Sequence, residues 1–498
     1  TLFKSSFPAR FGGRLSSVID VRTNDGDMQK YHGTLSIGLL TSKINLEGPI
    51  VKGKTSFNIS ARRSYLDLIA KPFMPDDEEY SYYFYDINAK INHKFSDRSR
   101  IYLSVYNGKD HFAANYDGDT DSKDGSTMNW GNTIVSARWN YIFNNRLFSN
   151  TTISYNNYLF DVNSYNNNKY ANSMGASIIN RYSADYRSGI NDWSYQIDFD
   201  YNPSPAHHIK FGTGYIYHRF RPEVMTSKIS EKTGDKVDRD TTYHSIANSR
   251  IYGHELSAYL EDNIKVNDRL RLNLGLHFSL FQVQKQSYSS LQPRVSARYQ
   301  LGKDVTLKAS YTQMSQYVHL LSSMPIAMPT DLWVPVTKKI KPMRSHQYSL
   351  GGYYTGIEGW EFSVEGYYKD MYNVLEYKEG VSFFGSSFFV ASFFGSAFFV
   401  VSLFGLSFFS SGVQENTIKL IGGIWISMEF SLSSHSIFLD AFTRLLVRPS
   451  PPNSFASLLK ISLYFPWNGT PTPKVSCSTG AKLQTKSSVS SAPRRRNA

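Results

Sequence analysis

The stretch Arg269 to Val283, RLRLNLGLHFSLFQV, constrains the fold more than any other in the chain. Every second residue is apolar: Leu270, Leu272, Leu274, Leu276, Phe278 and Leu280. Between them stand Arg271, Asn273, Gly275, His277 and Ser279. Side chains on a strand alternate faces, so this segment has one oily face and one polar face. At about 3.3 Å per residue it is roughly 45–50 Å long, whereas strands of globular proteins usually run about five or six residues. A long strand with one complete apolar face fits the wall of a membrane-spanning β-barrel.

The pattern recurs. Strands are expected near 31–39, 41–50, 54–67, 83–94, 99–108, 130–143, 147–160, 191–202, 208–220, 251–265, 269–284, 291–302, 304–312, 345–356 and 360–372. Trp193, Tyr195, Ile197, Phe199 and Tyr201 share one face, against Ser194, Gln196, Asp198 and Asp200 on the other. Trp360, Phe362, Val364, Tyr368 and Tyr372 oppose Glu361, Ser363, Glu365 and Lys369. The turns 51–54, 95–99, 144–146, 203–207, 266–269, 302–304 and 356–359 are short. Most connections between them are long: 69–82, 109–128, 161–190, 221–250 and 313–344. Outer-membrane barrels pair short periplasmic turns with long external loops in this way. A soluble sandwich or propeller has no reason to place loop length on alternate connections.

Mean hydropathy is −0.37, which argues against a bundle of membrane helices. It suits a barrel, because only alternate residues meet lipid. One Cys in 498 residues excludes a disulfide framework and a Cys-based metal site. The net charge of +13 does not indicate a nucleic-acid partner. Ten Lys/Arg against three Asp/Glu follow Val381, and the longer part before it carries no basic stripe.

Near the start, Phe7-Pro8-Ala9-Arg10-Phe11-Gly12-Gly13-Arg14-Leu15-Ser16-Ser17-Val18-Ile19-Asp20-Val21 resembles the end of the plug domain of TonB-dependent outer-membrane receptors. In that family, Pro-Ala, an aromatic residue and Gly-Gly lead to the last plug strand and then into the barrel. A second stretch resembles receptors of Bacteroidetes-type bacteria. It includes Gln292-Pro293-Arg294, Tyr311, Gln316 to Leu321 and Asp331 to Pro335.

The resemblance implies an all-β chain, a large antiparallel transmembrane β-barrel. The family barrel has about 22 strands around a plugged lumen, and about 15 are recognisable here, so the wall is expected to be incomplete and unclosed. The expected domains are the end of the plug at 1–30, a partial barrel at 31–377, Phe/Ser/Gly decapeptide repeats at 378–410 and an atypical tail at 411–498. No signal peptide opens the chain and no TonB-contacting segment is visible, so a further N-terminal part is expected before Thr1.

After Gly380 the character changes. VSFFGSSFFV, ASFFGSAFFV and VSLFGLSFF repeat in register, and only one of the 35 Tyr, Tyr464, follows. Three readings stay open: a transmembrane helix, an apolar low-complexity insertion, or residues outside the family's reading frame from about Ser386.

The function implied by the resemblance is TonB-dependent uptake of a scarce ligand such as an iron chelate, cobalamin or a glycan, across the Gram-negative outer membrane. The implied partners are outer-membrane lipid, the TonB complex and a small-molecule or glycan ligand. A passive porin or a surface adhesin barrel is the alternative. Trp333, in a long loop, is the candidate for stacking on ligand. Arg10, Gly12, Gly13 and Arg14 are the candidates for contact between plug and wall.

No catalytic motif, cofactor site or metal site is expected. Asp117-Gly118-Asp119-Thr120-Asp121 spaces carboxylates like a Ca²⁺ loop, but Ser122 and Met128 stand where Gly and Glu are needed. Asp76 to Glu79 reads as a solvated loop. The adjacent His207 and His208 should face opposite ways. Trp130, Trp139, Tyr141, Trp193, Tyr201, Tyr252, Tyr259 and Trp360 are candidates for the interfacial aromatic girdle.

Overall fold

The computed structural model describes residues 2–377, apart from 4–6, 16, 119–121, 172–174, 176, 234–235, 245–249, 322–331 and 359. Beyond these it describes three strands within 413–463. The decapeptide repeats lie outside the described residues.

Two short strands, β1 (Leu2–Phe3) and β2 (Val18–Ile19), pair with each other. The wall begins with β3 (His32–Ile37), β4 (Thr41–Val51) and β5 (Thr55–Ser64). A five-residue helix, α1 (Leu66–Ala70), and one 3-10 turn follow. Next come β6 (Glu78–Ser96), β7 (Ser99–Gly118), β8 (Ser122–Asn144) and β9 (Leu147–Ala171). They are followed by β10 (Ser177–Ser204), β11 (His207–Thr233), β12 (Lys236–His244) and β13 (Ile251–Lys265). The wall continues with β14 (Leu270–Val283), β15 (Gln286–Gln300) and β16 (Val305–Gln316). A small hairpin, β17 (Val318–Leu321) and β18 (Leu332–Pro335), precedes β19 (Met343–Ile357) and β20 (Trp360–Tyr377). The last described strands are β21 (Val413–Leu420), β22 (Ile424–Phe430) and β23 (Leu459–Leu463).

All these strands except β1, β2, β17 and β18 form one closed ring in chain order. The expected unclosed edge is therefore corrected. β22 lies along the lower half of β20 and β21 along its upper half, and β23 stands between β22 and β3. An open edge leaves unpaired N–H and C=O groups that lipid cannot satisfy, so closure by chain beyond the repeats removes a large penalty. β22 and β23 pair in parallel, from Ile424 opposite Leu459 to Met428 opposite Leu463. The other pairings among the described residues are antiparallel.

Burial follows the alternation read from β14. Leu274, Leu276 and Phe278 are exposed on the outside, where lipid belongs, while His277, Ser279, Phe281 and Val283 are buried inside. The girdle needs two corrections. Trp139, Trp193 and Tyr252 are exposed on the outer face. Trp130 instead packs on the inner cluster of Phe160, Val162 and Tyr186, and Tyr259 is buried with its hydroxyl donating to Asp198 Oδ1 at 2.6 Å. Tyr259 is an odd number of residues from Leu256 and Leu260, so its side chain cannot share their outer face.

The long external loops also need correction. The expected loops 161–190 and 221–250 are mostly ladder. β9 pairs with β10 from Leu147 opposite Tyr201 up to Ala171 opposite Ser177, and β10 pairs with β11 as far as Ile178 opposite Thr233. These strands of 25 to 28 residues far exceed the roughly 9–11 that cross the apolar layer. Above the lipid no hydrocarbon covers the outer face, so nothing selects for apolar residues on it there. Side-chain bonds such as Asn129 to Asp161 at 3.0 Å and Ser122 to Asn168 at 2.6 Å brace this extension.

Candidate functional site in the barrel lumen

The segment before the wall runs inside the barrel. Pro8 to Phe11 forms a turn, with Phe11 N donating to Pro8 O at 3.2 Å. Gly13 follows at φ +71°, a conformation that favours glycine. The turn leans on the inner faces of β13, β14 and β15. His277 Nδ1 donates to Ala9 O at 2.8 Å, and Arg294 Nη1 donates to Pro8 O at 2.7 Å. The Ala9 N–H donates to the Glu261 carboxylate. A carbonyl only accepts, so the His277 hydrogen sits on Nδ1. Its Nε2 faces Gly12, where a Cβ would stand 2.3 Å away.

Farther along, Lys369 Nζ on β20 donates to Leu15 O, and Phe7 and Leu15 pack on Met314 and Met343. The segment then crosses the lumen. On the far side Lys90 of β6 donates to Thr23 O at 3.0 Å and pairs with Asp25, and Ser56 of β5 donates to Asp25 O at 2.9 Å. Most of these wall contacts address the segment's backbone.

The side chains of the two arginines contribute differently. Arg10 lies over the Phe11 ring at 4.4 Å and pairs with Asp20 at 3.3 Å, both within its own segment. Arg14 donates to Gly13 O at 2.7 Å, and its guanidinium lies 5.7 Å from the Trp333 ring centre. So Trp333 and Arg14, assigned separate roles from the sequence, meet in the structure.

Trp333 belongs to the β17–β18 hairpin, which folds into the lumen above the turn. Tyr317, Val318 and Val336 join Ile190, Phe220, Phe281 and Val283 in one apolar cluster, with Trp333 packed against it. The Tyr317 ring stacks on Phe281 at 5.2 Å and 8°. Its hydroxyl meets Ser279 Oγ at 2.8 Å, and Gln292 Nε2 donates to the same Oγ at 2.8 Å. Tyr288 OH ties Thr337 O at 2.7 Å. His319 is buried, and both its ring nitrogens lack a partner among the described residues. Burial, together with the charge of Arg14, lowers its pKa to about 4.

Sequence reasoning missed the hairpin, although a signal existed. On the inner face of β14 the series Arg271, Asn273, His277, Ser279 gives way to Phe281 and Val283. β11 makes the same change from His218 to Phe220. Apolar residues on a lumen face mark the height at which something apolar fills the lumen.

Two cavities remain, the first of them beside the segment. One, of about 910 Å³, lies between Arg10, Asp25, Lys90, Arg138, Asp198 and Glu261. The other, of about 1000 Å³, opens at the short-turn end among Arg146, His207, Lys265, Arg271 and Arg298. The His207 and His208 rings diverge, to Asp262 and Asp200 respectively, and hold no common site. Among the described residues no group of His, Cys, Asp and Glu is arranged to hold a metal.

The sequence matches the family described as TonB dependent receptor-like, beta-barrel over residues 64–408. The fold is similar to the pyoverdine outer membrane receptor FpvA from Pseudomonas aeruginosa bound to pyoverdine. The TM-score is 0.52 at 13% identity, over 77% of this chain and 59% of that one. The ferripyoverdine receptor of the same organism, bound to ferripyoverdine, gives 0.51 at 12% identity, over 76% and 53%. BauA, the ferric preacinetobactin receptor from Acinetobacter baumannii, gives 0.48 at 10% identity, over 74% and 59%. The chain spans a little over half the length of these solved structures. No curated protein matches it.

Proposed function

Because the chain belongs to the TonB-dependent receptor β-barrel family, which matches it over residues 64–408, we propose that it takes up a scarce ligand across the outer membrane with energy delivered through TonB. The family resides in the outer membrane of Gram-negative bacteria, and the short turns then face the periplasm. In this reading residues 1–30 are the end of the plug. Gly12 and Gly13 let the turn approach the wall, Arg10 stiffens the segment, and Arg14 links it to the hairpin that carries Trp333. Trp333 is the residue we assign to ligand contact.

The observation that carries the reading is the way the turn is held. Glu261, His277, Arg294 and Lys369 bind it largely through hydrogen bonds to its backbone. Water can replace such bonds in the hydrated lumen, so the cost of leaving the wall falls mainly on the buried side chains Phe7, Ala9 and Leu15. The two Pseudomonas aeruginosa structures named above are receptors bound to pyoverdine and ferripyoverdine, which favours an iron chelate over cobalamin or a glycan. The inward hairpin supports a gated receptor over an open porin.

The test is uptake. The gene product, expressed in a Gram-negative host without its own siderophore receptors, is offered labelled ferric siderophores, cobalamin and oligosaccharides. Saturable uptake of one class that stops when TonB is deleted is the expected result. Uptake that continues without TonB overturns the energised reading in favour of a passive pore.

A further inference from the structure

The outer face of β10, β11 and β13 ends toward the long-loop side in an aromatic edge. Trp193 packs on Tyr155 at 4.8 Å, and Tyr217 stacks on Tyr252 at 6.1 Å and 10°. Immediately above this edge the same face carries Arg187, Arg219, Arg221 and Arg250. Arg219 stands between Asn191 and Tyr252 in the ladder, and Arg221 faces Gly189. The charges of Arg219, Arg250 and Arg187 all act on the Arg221 guanidinium.

None of the four makes an ion pair among the described residues. Nε of Arg219 is buried without a partner. Asp161 lies across from Arg187 in the ladder, but it accepts from Asn129 at 3.0 Å. Asp185 accepts from Asn163. Beneath the cluster Asn191 is buried, donating to Tyr155 OH at 2.7 Å.

Height places the cluster. Arg219 and Arg221 stand about a dozen residues above the start of β11 at His207. Roughly nine to eleven tilted residues cross the apolar layer. The arginines therefore lie at the level of the lipid headgroups, facing outward, with the aromatic edge below them at the boundary of the apolar layer.

The charges of Arg219, Arg250 and Arg187 repel that of Arg221, an anion between them would relieve this, and the guanidinium fork matches phosphate oxygens two at a time. We propose that Arg187, Arg219, Arg221 and Arg250 form a binding site on the outer wall for the phosphate groups of a membrane lipid in the outer leaflet. The acyl chains lie along the exposed apolar side chains below, and Trp193 and Tyr252 mark the depth at which the headgroup sits. This site is separate from the lumen and takes no part in ligand passage.

The test uses the full chain folded in a neutral detergent, with heat-modifiable gel mobility as the check on folding. Diphosphorylated lipid A, the same glycolipid stripped of phosphate, and inorganic phosphate are each titrated, and retained lipid is read by native mass spectrometry. The diphosphorylated lipid should bind at least about tenfold tighter than the stripped one. Inorganic phosphate should compete only at millimolar concentration. Arg219→Gln with Arg221→Gln should lower lipid affinity by about tenfold, while Arg146→Gln, at the opposite end of the wall, should not. Equal binding of the two glycolipids overturns the proposal, and that comparison needs no variant to fold. Inorganic phosphate binding as tightly as the lipid would make this a free-anion site and overturn the lipid assignment. A folded double variant with unchanged affinity would also overturn it.

Discussion

Gly12 and His277 occupy one contact from opposite sides of the lumen boundary. A Cβ on Gly12 would stand 2.3 Å from Nε2 of His277, while Nδ1 of the same ring holds Ala9 O at 2.8 Å. The ring is fully buried and bonded, so it has little room to give way. Gly12→Ala should cost about 1–3 kcal/mol by overpacking. His277→Ala should cost a comparable amount by losing the bond to Ala9. The double variant should cost less than the sum, as shown by urea unfolding of the refolded protein in liposomes. Strict additivity would mean that the two residues do not meet.

Arg294 presents a second test of the docked turn. Its guanidinium is buried and donates to Pro8 O. Arg294→Met keeps much of the volume and removes the charge-assisted bond, which should loosen the turn by about 1.5–3 kcal/mol. Trypsin cleavage after Arg10 or Arg14 should then accelerate in the folded barrel. Unchanged cleavage would show that the other wall contacts hold the turn without Arg294.

The His319 ring predicts a pH response. Its folded pKa is about 4, against about 6.5 for an unperturbed histidine. Between those values the undocked hairpin binds more protons than the docked one. Docking is therefore strongest above about pH 6.5 and weakens as pH falls toward about 4. The emission difference between the parent and Trp333→Phe reports the hairpin, and it should shift red on going from pH 7 to pH 5. In His319→Asn the shift should disappear. A spectrum independent of pH in the parent would count against a neutral buried ring.

The outer face of β14 gives a prediction graded by depth. Leu276 lies near the middle of the strand and Leu270 at its periplasmic end. Leu276→Arg should destabilise the barrel by about 2–4 kcal/mol in liposomes, and Leu270→Arg by about 0–1 kcal/mol. Equal costs would place the strand wrongly with respect to the bilayer.

The wall was legible in the sequence as far as the lipid reached. Leu274, Leu276 and Phe278 are apolar because lipid selects them, so the alternation ends where the lipid ends. On β9, Asn163, Tyr165, Asn166 and Asn167 continue the wall above the lipid, and they carry no periodic signal. The turn was legible because Gly-Gly marks a tight backbone approach: Gly13 stands at φ +71°, and Gly12 leaves room for His277. The partners of the turn were not, because Glu261, His277 and Arg294 are spaced for a wall rather than for one another. Arg10 and Arg14 illustrate the limit on charge: their sign suggested contact with the wall, yet Asp20 and Trp333 are nearer.

The upper reaches of β9, β10 and β11 have a consequence for capture. Flexible loops must be immobilised when a ligand arrives, and each ordered residue opposes binding by about 1–2 kcal/mol of conformational entropy. A mouth whose rim is already hydrogen-bonded, from Asp161 to Ala171 on β9 and up to Thr233 on β11, has met that requirement during folding. Its association should therefore resemble docking on a preformed surface, fast and with little change in heat capacity beyond the area covered.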